Sequence, residues 1–238
     1  MKILFVFLLH CIGFLLSYHR FFRTRYYNSA FSSTCQGFSD NLCELFYIDI
    51  VKSYNYNKIM YTKIADALSR SMDGFRLPRY KELPKQGLYL EQTTQYVNDC
   101  IRPLGFEEIT SSMIRNYVKQ GIVENPVRKR YYADQIAHLI PLALLKQVTA
   151  LENVSAMFTI LHRNGSYPPP VAYDYFCAEL ENILYYRFGL KDTVDFIGVS
   201  TCLEKEMLRS TITAVSHIVY LNRCFKYISE IEHIDTNH

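Results

Sequence analysis

The sequence predicts a mainly α-helical protein, all-α in class apart from one short extended excursion. Three observations carry that expectation. After Met60, apolar residues recur at spacings of three and four over most of the 238-residue chain. One short segment, 110–120, splits cleanly into an apolar side and a basic, polar side. A basic stretch, Arg128-Lys129-Arg130, follows it and runs into Tyr131-Tyr132. Together they predict a helix-turn-helix with a short wing, followed by a C-terminal helical hairpin.

Composition allows a core and excludes little else. Hydrophobic residues make up 49% and charged residues 21%, a balance unlike that of disordered chains. The net charge of +3 names no partner, but its distribution does. Residues 109–132 hold five basic residues and one acidic, whereas 133–238 hold eight basic and twelve acidic. A phosphate backbone would attract the first stretch and repel the second. The seven Cys lie at 11, 35, 43, 100, 177, 202 and 224, with no C-x-x-C spacing, so neither a metal site nor a cofactor is expected. Scattered thiols suit a reducing cytoplasm.

The chain divides into three parts. Residues 1–59 are an apolar, irregular segment. Within it, residues 3–17 are short for a membrane span and are followed by Arg20, Arg23 and Arg25. Two readings stand for this segment. It is a membrane anchor that holds the rest of the chain in the cytoplasm. Alternatively it is a mis-annotated start, and the protein begins at Met60. Residues 60–165 form the helix-turn-helix part, and 166–238 the C-terminal helical region.

Helical spacing marks 61–72, closed by Gly74. Leu77-Pro78-Arg79-Tyr80 and Leu83-Pro84 read as an extended arm. Leu90, Thr94, Val97 and Ile101 mark a helix over 89–101, ended by Pro103 and Gly105. Thr110 or Ser111 caps the next helix and Gly121 stops it. On this helix Met113, Ile114, Tyr117 and Val118 face inward, and Ser112, Arg115, Asn116 and Lys119 face outward. Arg, Asn, Lys and Ser are the side chains that read base edges and hold phosphate. Arg128, Lys129 and Arg130 form the wing and grip phosphate, and at least one of Tyr131 and Tyr132 enters the core. Residues 133–148 form a helix that Pro141 should bend or break near Ile140. A short helix follows from Leu151 to about His162, then an Asn164-Gly165 turn. The Tyr167–Pro170 run is a stiff boundary. Residues 171–188 and 201–232 pair as the C-terminal hairpin. The longer helix carries a heptad-like seam: Met207, Thr211, Ala214, Ile218, Leu221, Phe225 and Ile228. Packing of that seam on 171–188 within the chain is favoured over a homodimer through 201–232.

Two resemblances attach to these residues. Ser112–Tyr117, Gly121-Ile122-Val123 and the basic-aromatic return at 128–132 are similar to MerR-like winged helix-turn-helix proteins, over about sixty residues. The 102–109 connection is longer, and the wing shorter, than that family's. A closer resemblance is to the bacterial family called domain of unknown function 1836. It rests on Leu77–Tyr80 with Leu83-Pro84, on Ile109–Ile122, and on Tyr131–Val148, within about residues 72–180. Pro141 departs from the aliphatic residue expected there. The first resemblance implies double-stranded DNA as partner; the second implies no activity.

No phosphate-binding glycine loop, G-x-S-x-G or H-E-x-x-H is present, so no enzyme is expected. The functional expectation is a DNA-binding transcriptional regulator. The alternative is a protein-interaction module on the same scaffold, using 171–188 and the 207–228 seam.

Overall fold

The computed structural model describes residues 60–163, 168–195, 197 and 203–235. The 3–17 run, the rest of 1–59 and the Asn164-Gly165 turn lie outside them. Among the described residues, no helix is long and apolar enough to cross a membrane.

The described part of the unit Met60–His238 holds seven helices and one two-stranded ladder. In chain order these are α1 (60–72), β1 (Leu88–Tyr89), α2 (Leu90–Ile101), α3 (Ser111–Lys119), β2 (Arg130–Tyr131), α4 (Ala133–Leu145), α5 (Leu151–Arg163), α6 (Pro169–Arg187) and α7 (Leu203–Asp235). Short 3-10 turns sit at Tyr80–Glu82 and Arg102–Leu104. β1 pairs antiparallel with β2, Leu88 opposite Tyr131 and Tyr89 opposite Arg130.

α4 is the most apolar element, and every residue from Leu139 to Leu145 is buried. The sequence predicts a bend or break at Pro141. There is no break: the helix runs from Ala133 to Leu145 through the proline. An internal proline costs about 3 kcal/mol. Burying the neighbouring Leu139, Ile140, Leu142 and Leu144 stabilises by roughly 2 kcal/mol each, which outweighs it. The proline run before α6 has a different role. Pro168 is the N-cap, and Pro169 opens the first turn, where a missing N–H is harmless.

α6 is the hub. It packs on α4, on α7 and on the Leu77–Glu82 arm. Glu181 on α6 receives Arg79 through two bonds, of 2.7 and 2.6 Å, and also accepts the Leu77 N–H at 2.9 Å. Those hydrogen bonds from Arg79 to the carboxylate hold the guanidinium pKa still higher than usual. Two turns earlier, Asp174 accepts the Tyr80 N–H at 2.7 Å. Two residues before Glu181, the fully buried Glu179 lies 3.0 Å from Arg209 Nε of α7. Burial pushes the Glu179 carboxyl above the usual range, against the pull of Arg209.

α7 packs on α6 and also meets α4 and α5, and its buried face is Leu208, Ile212, Val215 and Val219. This corrects the intrachain packing expected of the 207–228 seam. Met207, Ile218, Leu221, Phe225 and Ile228 are exposed, Phe225 by 66%. Both stripes have heptad-like spacing. The buried one is largely β-branched, Ile212, Val215 and Val219 after Leu208, with Ser216 buried beside it.

Removing one partner of a buried ion pair strands the other charge. Glu181→Ala is therefore expected to lower the unfolding free energy in urea by about 3 kcal/mol. Glu230→Ala, which deletes the exposed pair with Lys226 on α7, should leave it nearly unchanged.

Candidate nucleic-acid interface

α3 is a nine-residue helix, too short to stand alone, so its surroundings must hold it. Thr110 caps it, accepting the Met113 N–H at 3.2 Å. Thr94 Oγ1 on α2 lies 3.0 Å from Ser111 Oγ at its first turn. At its end Gly121 takes φ 71°, and two bonds close a Schellman stop: Ile122 N–H to Tyr117 O at 2.9 Å and Gly121 N–H to Val118 O at 3.0 Å.

The strongest tie is Asn98 on α2. Its buried amide pairs with both backbone groups of one residue: Nδ2 donates to Ile109 O and Oδ1 accepts from Ile109 N, both at 2.9 Å. That reciprocal clamp fixes the residue just before the α3 cap. Arg102 braces the same connection from outside, bonding Asp99 and Glu108. Inside, Ile114 and Tyr117 are buried and Met113 and Val118 half-buried. Outside, Ser112, Arg115, Asn116 and Lys119 are all exposed. The burial split follows the helical wheel. Among the described residues, none of these four side chains makes a hydrogen bond or ion pair.

The basic segment after α3 forms a tight two-residue hairpin. Val127 and Arg130 exchange both backbone bonds at 3.0 Å, and Arg128 and Lys129 sit between them at φ 50° and 64°. Positive φ at both central residues defines a type I′ turn, which normally takes Asn-Gly. Arg and Lys there carry roughly 1–2 kcal/mol of strain each. Their side chains are exposed and make no hydrogen bond or ion pair among the described residues. Strain of this kind persists only where the surrounding structure over-determines it, here the reciprocal Val127–Arg130 bonds and the β1–β2 ladder.

Arg130 is placed differently from its two neighbours. It is half-buried; its guanidinium donates to Gly87 O at 3.0 Å and to the Tyr89 hydroxyl at 3.2 Å, and lies 4.5 Å from the Tyr89 ring centroid. It holds the two strands together. Gly87 is required for this fit, because a Cβ there would lie 2.8 Å from Arg130 Cβ and 2.7 Å from the Tyr132 ring. Tyr131 is buried and Tyr132 is 38% exposed, so one of the two enters the core. β1, which Arg130 secures, leads directly into α2, and α2 carries the Asn98 clamp. The turn and α3 therefore hang from the same helix.

Sequence reasoning overlooked Asn98, Gly87 and Tyr89. Asn98 lies on the apolar side of α2, one residue after Val97, and a polar residue at that register was its signal.

Residues 78–176 match the family model described as "Domain of unknown function (DUF1836)". The match opens at Pro78 of the arm and closes at Phe176 of α6, the two elements joined by the Tyr80–Asp174 bond. No curated protein and no solved structure matches the chain.

Replacing the strained pair with residues suited to a type I′ turn relieves the backbone. Arg128→Asn/Lys129→Gly is expected to raise the unfolding free energy by about 1 kcal/mol. A loss of stability in urea denaturation would show that the turn has another conformation.

Proposed function

We propose that the DUF1836-matching region binds double-stranded DNA as a MerR-like winged helix-turn-helix. In this reading β1, α2, α3, the Val127–Arg130 turn and β2 form the unit, and the protein is a transcriptional regulator in the cytoplasm. The observation that carries it is the outward face of α3. Ser112, Arg115, Asn116 and Lys119 are exposed and not engaged by the fold, on a helix clamped by Asn98. A basic helix face alone is usually a solvated surface. The strained turn that presents Arg128 and Lys129 is the independent support.

The chemistry divides by side-chain type. Arg115 suits guanine O6 and N7, and Asn116 suits adenine N6 and N7, each by two hydrogen bonds in a major groove. Ser112, Lys119, Arg128 and Lys129 are assigned to phosphates, which set register. Arg130 is reassigned from phosphate to holding β1 and Tyr89.

The exposed α7 stripe belongs to the same reading. Its spacing of four and three over 207–228 is the period of a coiled-coil seam, so the surface it fits is another helix of the same repeat. Its flanking Ser210, His217, Asn222 and Ser229 include no Asp, Glu, Lys or Arg, so a second copy meets no like-charge repulsion from them. A homodimer through α7 would present two α3 faces to two half-sites. The same exposed stripe favours the second reading, an interaction module that docks a different protein and does not bind DNA.

Selection from random duplex DNA is expected to enrich one motif. Arg115→Ala and Asn116→Ala should each cost about 1–3 kcal/mol of binding and relax preference at one base pair. No enrichment, or unchanged preference in both variants, contradicts the reading. Leu221→Glu/Phe225→Glu is expected to convert a dimer into a monomer by light scattering. It should also weaken binding to a two-half-site duplex about 100-fold while leaving single half-site binding intact. A wild-type monomer contradicts the dimer.

A further inference from the structure

Tyr89 ends β1, stands directly before α2 and is 48% exposed. Its backbone is held on both sides: the N–H donates to Gln92 Oε1 at 3.0 Å, and the carbonyl accepts from Thr93 Oγ1 at 3.0 Å. Its side chain is held by Arg130, its partner across the ladder. The guanidinium lies 4.5 Å from the ring centroid, donates to the hydroxyl oxygen at 3.2 Å, and is itself tied to Gly87 O. A tyrosine hydroxyl can accept a hydrogen bond and donate one. Here the oxygen accepts from Arg130, and among the described residues nothing takes its proton. The result is an exposed O–H donor on a side chain that the fold has already ordered.

We propose that the Tyr89 hydroxyl donates a hydrogen bond to a DNA phosphate, with Arg130 as the positioning residue that aims it. The proposal rests on the DNA reading above and adds a neutral contact to its charged ones. Location supports it. Arg130 flanks the Arg128-Lys129 turn, so the hydroxyl lies beside the two cations assigned to phosphate. The ladder also adjoins α3: burial raises the Tyr131 pKa, and Arg115 is close enough to act against that rise.

Chemistry supports it too. A phosphate oxygen only accepts, and donation is the role this hydroxyl has left; tyrosine hydroxyls are among the regular donors to the DNA backbone. Linked hydrogen bonds polarise one another, so the bond from the Arg130 cation strengthens the Tyr89 O–H as a donor. Arg130 also covers one face of the ring, which leaves the hydroxyl as the group offered to a partner. Because ring and backbone are already fixed, the contact costs little further ordering.

The test uses the full chain and a duplex selected by the wild type. Tyr89→Phe keeps the ring and removes only the hydroxyl. It is expected to weaken binding about tenfold, with urea stability and sequence preference unchanged. A neutral donor releases no counterion, so the slope of log K against log salt should also stay the same. Ethylation interference should show one phosphate fewer than in the wild type. Arg130→Lys keeps the charge but loses the planar fork, and should weaken the wild type while costing nothing further in Tyr89→Phe. Unchanged affinity in Tyr89→Phe, the full set of phosphates in its footprint, or additive costs of the two substitutions would each overturn the proposal and leave the DNA reading standing. A wild type that selects no duplex would overturn both, so the two failures are told apart.

Discussion

The orientation of α3 depends on one buried side-chain amide. Asn98 satisfies both the N–H and the C=O of Ile109, at the point where the chain leaves an exposed connection and enters the helix. Had the amide been an aliphatic side chain, two buried backbone groups would have lost their partners, at about 1–3 kcal/mol each. With it, the 102–110 connection gains a fixed end, although it is longer than a tight helix-turn-helix turn. The Thr110 cap and the Gly121 stop then set where the helix begins and ends. Its outward face owes its direction to all three.

A second constraint holds the frame around that unit. α6 carries two carboxylates, Glu179 and Glu181, two residues apart and so directed to different sides of the helix. Glu181 binds the arm through Arg79, and Glu179 meets α7 through Arg209. Buried pairs like these add little net stability over apolar packing. They do penalise wrong registers, because a shifted helix would strand a charge. The arm, α6 and α7 are thereby locked to one alignment, and the Tyr80–Asp134 bond extends that alignment to the first turn of α4.

Much of this was legible in sequence, and the exceptions have physical reasons. The faces of α3 were legible because a nine-residue helix with one apolar side has only one way to bury it. The Thr110 cap and the Gly121 stop were legible because both are local rules. The 207–228 seam was misread because α7 carries two stripes of similar period, and periodicity alone does not say which one meets α6. The break expected at Pro141 is absent because the burial around it outweighs the local penalty. Arg130 was grouped with its neighbours because three consecutive basic residues look equivalent. Only the I′ turn and the β1–β2 register separate the two outward cations from the inward one. Asn98 was invisible as a clamp because its partner is backbone, eleven residues away.

A DNA-binding role requires the α3 face and the two turn cations to meet the duplex. The most direct measurement is the salt dependence of equilibrium binding to a selected duplex, for the wild type and for Arg128→Asn/Lys129→Gly. Two lost phosphate contacts should reduce the slope of log K against log salt by about two, in a protein at least as stable as the wild type. An unchanged slope, or the absence of salt-dependent binding in the wild type, would contradict the account.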